Sequence, residues 1–92
     1  MVFSKRLREP IRNGEIETTV RIWRSPRVKI GGRYKLEDGH VVVDKLSQIE
    51  LSDITNSLAR ECGFAGVVDL LKTAKHGAGE NVYLIRFHYE RS

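Results

Sequence analysis

Three polar or aromatic side chains alternate along one short stretch of the chain: Thr19, Arg21 and Trp23. Apolar, β-branched residues fill the positions between them, so residues 18–24 are predicted to form a half-buried strand that carries the three on one face. A guanidinium can hold a phosphate, and a neighbouring aromatic ring can stack a base. The stretch therefore predicts a phosphate- or base-binding face. The competing interpretation is a core indole beside an arginine that pairs with a carboxylate.

A basic loop follows this stretch directly. It carries Arg24, Arg27 and Lys29 around a proline, and Arg33 comes after a Gly-Gly turn. Cations beside an arginine-aromatic strand attract the backbone of a nucleic acid. The alternative is that these side chains are simply solvated.

A second basic group lies near residue 75. Lys72, Lys75 and His76 end a predicted helix and lead into a Gly-Ala-Gly segment. Glycines let a backbone approach a ligand closely, although cations at a helix C-terminus are also favourable to the helix dipole alone. Because this Gly-x-Gly follows a helix rather than a strand, it is not a dinucleotide fingerprint.

Few other residues suggest chemistry. Glu61 ends a predicted helix and is a candidate general acid or base. Nothing in the spacing places His40 or His76 beside His88, so no metal site is predicted, and no cofactor motif is present. The single cysteine, Cys62, excludes an internal disulfide and is predicted to be a small buried hydrophobic residue.

The charge of the chain is unevenly distributed. Residues 1–35 hold ten Lys or Arg and three Glu, whereas residues 36–92 hold six Lys or Arg and nine Asp or Glu. A basic N-terminal third favours a phosphate-bearing partner. No apolar run approaches the roughly 18 residues of a membrane span, and the N-terminus turns basic at once. We expect a cytoplasmic protein without a membrane partner; its oligomeric state stays open, with a monomer favoured.

The periodicity predicts one mixed α+β domain over residues 1–92. Ser4 caps a short helix, or a single turn begins at Pro10. A phase change between Lys45 and Gln48 predicts a β-bulge. Mostly strands, with two helices before the last strand, indicate a small, partly closed β-barrel with two or three short helices. The predicted strands are 18–24, 33–36, 40–51 and 80–90, and the later helices are 52–61 and 66–75.

Several short segments follow one another in a fixed order along the chain: Phe3 and residues 11–14, 14–21, 28–32, 61–64 and 82–87. Their order resembles the ASCH domain, a branch of the PUA-like fold. That family opens with an aromatic residue, a short helix and Ile-x-x-Gly. It continues with Gly-x-Lys-x-x-Thr-x-Arg, Val-Lys-x-Gly-Asp, Glu-x-Gly-Phe and a final Val-Tyr-x-Ile-x-Phe. Gly32 stands at the position of the family's Asp. The resemblance covers nearly the whole chain and implies a PUA-like β-barrel.

The same resemblance bears on activity. Some small bacterial members similar to this chain are amidohydrolases of acetylated cytidine that use a Lys, a Thr and a Glu, and other members have been linked to RNA cleavage. The threonine corresponds to Thr19 and the glutamate to Glu61, whereas Ile16 occupies the lysine position. A threonine hydroxyl is a weak nucleophile without a neighbouring base or cation. The sequence therefore does not establish an enzyme.

Taken together, these features predict a domain that binds RNA, a nucleotide or a nucleoside in a basic, partly aromatic barrel cleft. Thr19, Arg21 and Trp23 form its floor and residues 72–79 its border. The first alternative is a small hydrolase of acylated nucleosides or RNA. The second is a protein-interaction adaptor that presents Tyr83, Phe87 and Tyr89 as an exposed patch, although their alternation favours the core.

Overall fold

Four strands and three α-helices make up residues 1–74 and 79–91, the part of the chain that the computed structural model describes. A 3-10 turn at Leu51–Asp53 precedes the second helix. In chain order the elements are α1 (Lys5–Arg12), β1 (Thr18–Trp23), β2 (Arg33–Leu36), β3 (Gly39–Ile49), α2 (Asn56–Glu61), α3 (Val67–Ala74) and β4 (Asn81–Arg91).

The strands form one antiparallel sheet in the order β1-β4-β3-β2. The long strands β3 and β4 pair from Gly39 opposite Arg91 to Ile49 opposite Val82, with a register shift around Asp44. A bulge bends a strand and increases its twist, and the sheet curls into a half-barrel. This confirms the predicted mixed α+β class and the bulge, which falls just before the interval expected from the sequence.

The sequence predicts that the hairpin between β2 and β3 closes at Asp38-Gly39, and in the structure it closes one residue earlier. Leu36 pairs with Gly39, so Glu37 and Asp38 form the turn, and Glu37 takes a positive φ of 52°. A side chain at position 39 would collide with the carbonyl oxygen of Glu90. Gly39 is therefore needed for close approach to β4 rather than for the turn itself.

Helix α1 runs through Pro10 instead of breaking there. Proline removes the one backbone hydrogen bond that position 10 would donate to the Arg6 carbonyl, and α1 ends two residues later, at Arg12. The Pro10 carbonyl also accepts hydrogen bonds from two amides beyond the helix. Leu7 and Ile11 are buried on one side of α1, as their spacing predicts. The expectation of a turn beginning at Pro10 is thus wrong.

Helix α2 begins later than predicted. Its N-cap is Thr55, whose hydroxyl oxygen accepts a 3.0 Å hydrogen bond from the Leu58 amide, rather than Ser52. Ile54 is extended and buried between the 3-10 turn and the helix. Burial of this side chain places the helix start after it, where the next capping residue stands.

Strand β1 is covered on both faces. Helices α2 and α3 pack against Val20 and Ile22, in a cluster that includes Leu70 and Val82. On the opposite face, Trp23 packs in a second cluster with Val28 and Tyr83, and the Arg21 guanidinium lies over the Phe3 ring. All six residues of β1 are buried, so the prediction of a half-buried strand is wrong.

Candidate functional site

The residues predicted to form a binding face on β1 lie on one side of the strand, which points into the curled sheet. Arg21 stands opposite Tyr83 in the register with β4, and Thr19 stands opposite Ile85. Trp23 is only 3% exposed and packs against Tyr83, with 6.0 Å between the ring centroids. The indole is therefore part of the core, where a base cannot stack on it without rearrangement.

Arg21 is a buried cation held by neutral groups. It is 7% exposed, and its Nε atom donates to the Thr19 hydroxyl at 3.3 Å while its Nη2 atom donates to the Val2 carbonyl at 2.6 Å. The guanidinium carbon lies 4.9 Å from the centroid of the Phe3 ring. No carboxylate in the described residues forms an ion pair with it. Burial lowers the pKa of Arg21, yet a guanidinium starts so high that it stays charged.

A cavity of about 310 Å³ opens beside this guanidinium; we call it the Arg21 cavity. It lies between the first turn of α1, the edge strand β1 and the last turn of α3. The structure thus brings Thr19, Arg21 and Lys72 to one hollow. The lining residues are Val2, Phe3, Ser4, Leu7, Thr19, Val20, Arg21, Phe64, Lys72, Thr73 and Ala74.

Two further cavities share lining arginines with it or with each other. Arg21 also lines a hollow of about 150 Å³ together with Trp23 and Arg27. Arg27 in turn lines one of about 290 Å³ together with Arg24 and Gly79. We call the three cavities the basic track. No Asp or Glu is among the described residues that line any of them.

Two further guanidinium groups lie close to aromatic rings, and one of them, that of Arg27, belongs to this track. The guanidinium of Arg27 lies 6.0 Å from the Trp23 ring centroid, and that of Arg6 lies 5.2 Å from the Phe64 ring. A guanidinium that rests one face on a ring can present its other face to a nucleobase. Stacking on this surface would therefore come from arginine planes rather than from the indole.

Gly79 brings the connection into β4 close to the end of β1. A side chain at this position would collide with the backbone of Trp23 and Arg24. The glycine predicted to approach a ligand thus approaches β1 and forms one wall of the third cavity. The predicted binding residues Lys75 and His76 lie outside the described residues.

A separate cavity of about 620 Å³ has the opposite charge. Four carboxylates and two cations line it, and Glu61 supplies one of the carboxylates. It shares no lining residue with the Arg21 cavity, so the structure does not bring Thr19 and Glu61 together. Its lining residues are Glu15, Glu17, Thr18, Asp44, Lys45, Glu61, Arg86 and Phe87.

The remaining candidates divide between loop and core. Lys29 is exposed and lines none of the three basic cavities. Tyr83 and Phe87 are buried, and the half-buried Tyr89 donates its hydroxyl to the Leu36 carbonyl. These aromatic side chains therefore do not form the exposed patch that an adaptor would use.

Among the lining residues of the Arg21 cavity that sequence reasoning did not assign to a site are Phe3, Ser4 and Phe64. Ser4 was interpreted only as a cap of α1, and Phe3 and Phe64 only as parts of the family motifs. Within the ranges 1–74 and 79–91, no cluster of three or more His, Cys, Asp or Glu side chains could hold a metal ion. No described helix meets the length and apolarity that crossing a bilayer demands.

No protein-family model, curated protein or solved structure matches this chain. The geometry of the site itself must therefore carry any assignment of function.

Proposed function

We propose that the chain is an ASCH-type domain of the PUA-like class that binds a nucleotide or single-stranded RNA along the basic track. The observation that carries this proposal is a set of three cavities that share Arg21 and Arg27 as lining residues and that no described carboxylate lines. The curled antiparallel sheet and the order of the sequence motifs are compatible with that architecture.

The charge of the track suits a polyanion. Arg21, Arg24, Arg27 and Lys72 contribute four positive charges along it. Contacts between such cations and phosphates supply most of the sequence-independent affinity for nucleic acids. The guanidinium of Arg27, 6.0 Å from the Trp23 ring centroid, adds a stacking surface that accepts any base.

The acidic cavity restricts where a polyanion can lie. Its four carboxylates outnumber Lys45 and Arg86, so this surface repels phosphates while the basic track attracts them. The opposite charge of the two surfaces therefore directs an RNA to one side of the domain.

Titration of a fluorescein-labelled single-stranded RNA of about ten nucleotides tests the proposal. If four cations each neutralise one phosphate, affinity should fall about 50-fold between roughly 50 and 200 mM salt. Arg27→Gln should weaken binding at low salt and reduce the slope of log Kd against log salt by about 0.7, because one phosphate contact is lost.

Lys35→Gln is the matched control. Lys35 is exposed on β2 and lines none of the three basic cavities, yet its loss changes the net charge by the same amount. We expect it to leave the slope nearly unchanged. Failure of the wild type to bind at low salt, or equal slopes for the two variants, would refute the proposal.

A further inference from the structure

We infer that the Arg21 cavity is a site for a phosphomonoester, the terminal phosphate of a nucleotide or of an RNA strand. This inference rests on the proposed function and assigns the end of the ligand to one of the three cavities.

The N-terminus of α1 adjoins this cavity, because its N-cap residue Ser4 lines it. The Ser4 side chain forms no capping hydrogen bond, and no acidic residue stands in the first turn of α1. The first amide groups of a helix have no partner within the helix and carry a partial positive charge. Nothing in the sequence of this turn neutralises that charge, so an anion is favoured there.

Arg21 supplies the second, independent feature. More than nine-tenths of this side chain is buried, it lines the cavity, and its hydrogen bonds go to the neutral acceptors on Thr19 and Val2. Among the described residues its Nη1 atom has no hydrogen-bond partner. A buried guanidinium with a spare donor and no carboxylate is matched by an anionic ligand.

Lys72 completes the charge of the site from the other side. It lies in the last turn of α3 and lines the same cavity, where it offsets the negative end of that helix. In the described part of the chain it forms no ion pair. Two full positive charges and the positive end of α1 thus border a space that no described acidic residue lines, while Lys72 offsets the negative end of α3 on the other side.

A terminal phosphate suits this space better than an internal one. Buried residues from α1 and β1, among them Leu7, Thr19 and Val20, line the cavity. An internal phosphodiester must let the strand both enter and leave, whereas a terminal phosphate only enters. A phosphomonoester also carries close to two negative charges at neutral pH, while a phosphodiester carries one.

The test compares two RNAs of identical sequence, one with a 5′-phosphate and one with a 5′-hydroxyl, at low salt. Uridine, uridine 5′-monophosphate and inorganic phosphate form a parallel series that separates the anion from the base. We expect the phosphate to strengthen binding about tenfold in both comparisons, as one set of charge-assisted hydrogen bonds would.

Ser4→Asp provides the decisive variant. Aspartate is a preferred N-cap, so the substitution should leave the fold intact while it places a carboxylate beside Arg21 and the first turn of α1. We expect it to abolish the advantage of the 5′-phosphate and to keep most of the affinity for the 5′-hydroxyl RNA. Ser57→Asp, the same change in the first turn of α2, should keep that advantage.

The outcomes separate the inference from the proposed function. Equal affinity for the two RNAs in the wild type, or an undiminished phosphate advantage in Ser4→Asp, overturns the phosphomonoester site while RNA binding stands. Failure of both RNAs to bind overturns the proposed function and with it the inference.

Discussion

The Nη2 atom of Arg21 donates a 2.6 Å hydrogen bond to the main-chain carbonyl oxygen of Val2. Charged side chains are rarely buried without a partner of opposite charge, because removing an ion from water is costly. Here the acceptors are a carbonyl and the hydroxyl of Thr19, both neutral. They fix the position of the guanidinium without cancelling its charge, and the charge stays available to an anion.

Replacement of Arg21 by methionine should separate stability from binding. The substitution removes the buried charge and keeps an unbranched side chain of similar reach, so we expect the Tm to stay level or rise. Affinity for RNA at low salt should fall at least about tenfold, because a charge-assisted contact is lost. Thermal unfolding followed by circular dichroism and the same RNA titration measure the two effects.

A structural role for Arg21 would give the opposite pattern. A fall in Tm of more than about 8 °C would correspond to a loss of at least 1 kcal/mol for a domain of this size. That result, together with unchanged RNA affinity, would identify the guanidinium as a stabilising element of the core and remove it from the binding site.

Acetylated cytidine should not be a substrate. Thr19 and Glu61 line cavities that share no residue, and the Thr19 hydroxyl already accepts a hydrogen bond from Arg21. A nucleophile needs a base within hydrogen-bond reach. We therefore expect the wild type and Thr19→Val to release acetate at the same background rate in a chromatographic assay. Faster release by the wild type alone would restore the hydrolase alternative.

Strand periodicity predicted the sheet well because alternation is a local property. The four strands and the burial of Tyr83, Ile85 and Phe87 on one face of β4 follow the apolar alternation in the sequence. The helix starts were harder to predict. Ser52 and Thr55 are both good caps, and the choice between them depends on where the intervening Ile54 packs.

A local sequence pattern could not predict that β1 is buried on both faces. Its second face is covered by the N-terminal segment around Phe3, which meets Arg21 only in the folded chain. The sequence placed Trp23 on the correct face and left open whether the indole binds a base or belongs to the core, and in the folded chain it is buried. Arg21 and Lys72 were both predicted as binding residues, and the structure brings them to one cavity. No spacing rule could have predicted that Ser4 lines the same cavity, because its position depends on how α1 packs.

Cys62 should be unreactive in the native protein. Burial, with a contribution from the negative charge of Glu61, raises the pKa of its thiol to about 12. Since only the thiolate attacks disulfide reagents, we expect almost no reaction with a chromogenic disulfide reagent at pH 8. Unfolding in guanidinium chloride should release one thiol per chain. Rapid reaction of the folded protein would show that the cluster of α2, α3 and β1 opens readily.

His88 joins two carboxylates on the outer surface of the curled sheet, and its titration should reflect both. Its Nδ1 atom lies 2.9 Å from the carboxylate of Asp44, the bulge residue of β3, and its Nε2 atom lies 3.0 Å from Glu90. The hydrogen bond to Asp44, followed by that to Glu90, raises the pKa of His88 above its ordinary value of 6.5. Arg33 on β2 pairs with Glu90 across the intervening strand β3. The hydrogen bonds from His88 and then from Arg33 lower the pKa of Glu90.

The sign of the pH dependence follows from this shift. A raised folded-state pKa means that the protonated imidazole stabilises the fold fully below pH 6.5, and that this contribution is lost as the pH rises through the folded-state pKa. Titration by NMR of the imidazole proton should therefore give a midpoint above 6.5, and Asp44→Asn should lower it more than Glu90→Gln. A wild-type midpoint at or below 6.5, or no effect of Asp44→Asn, would contradict the bridge. Because the imidazole is 39% exposed, the change in Tm between pH 6 and 9 should be small.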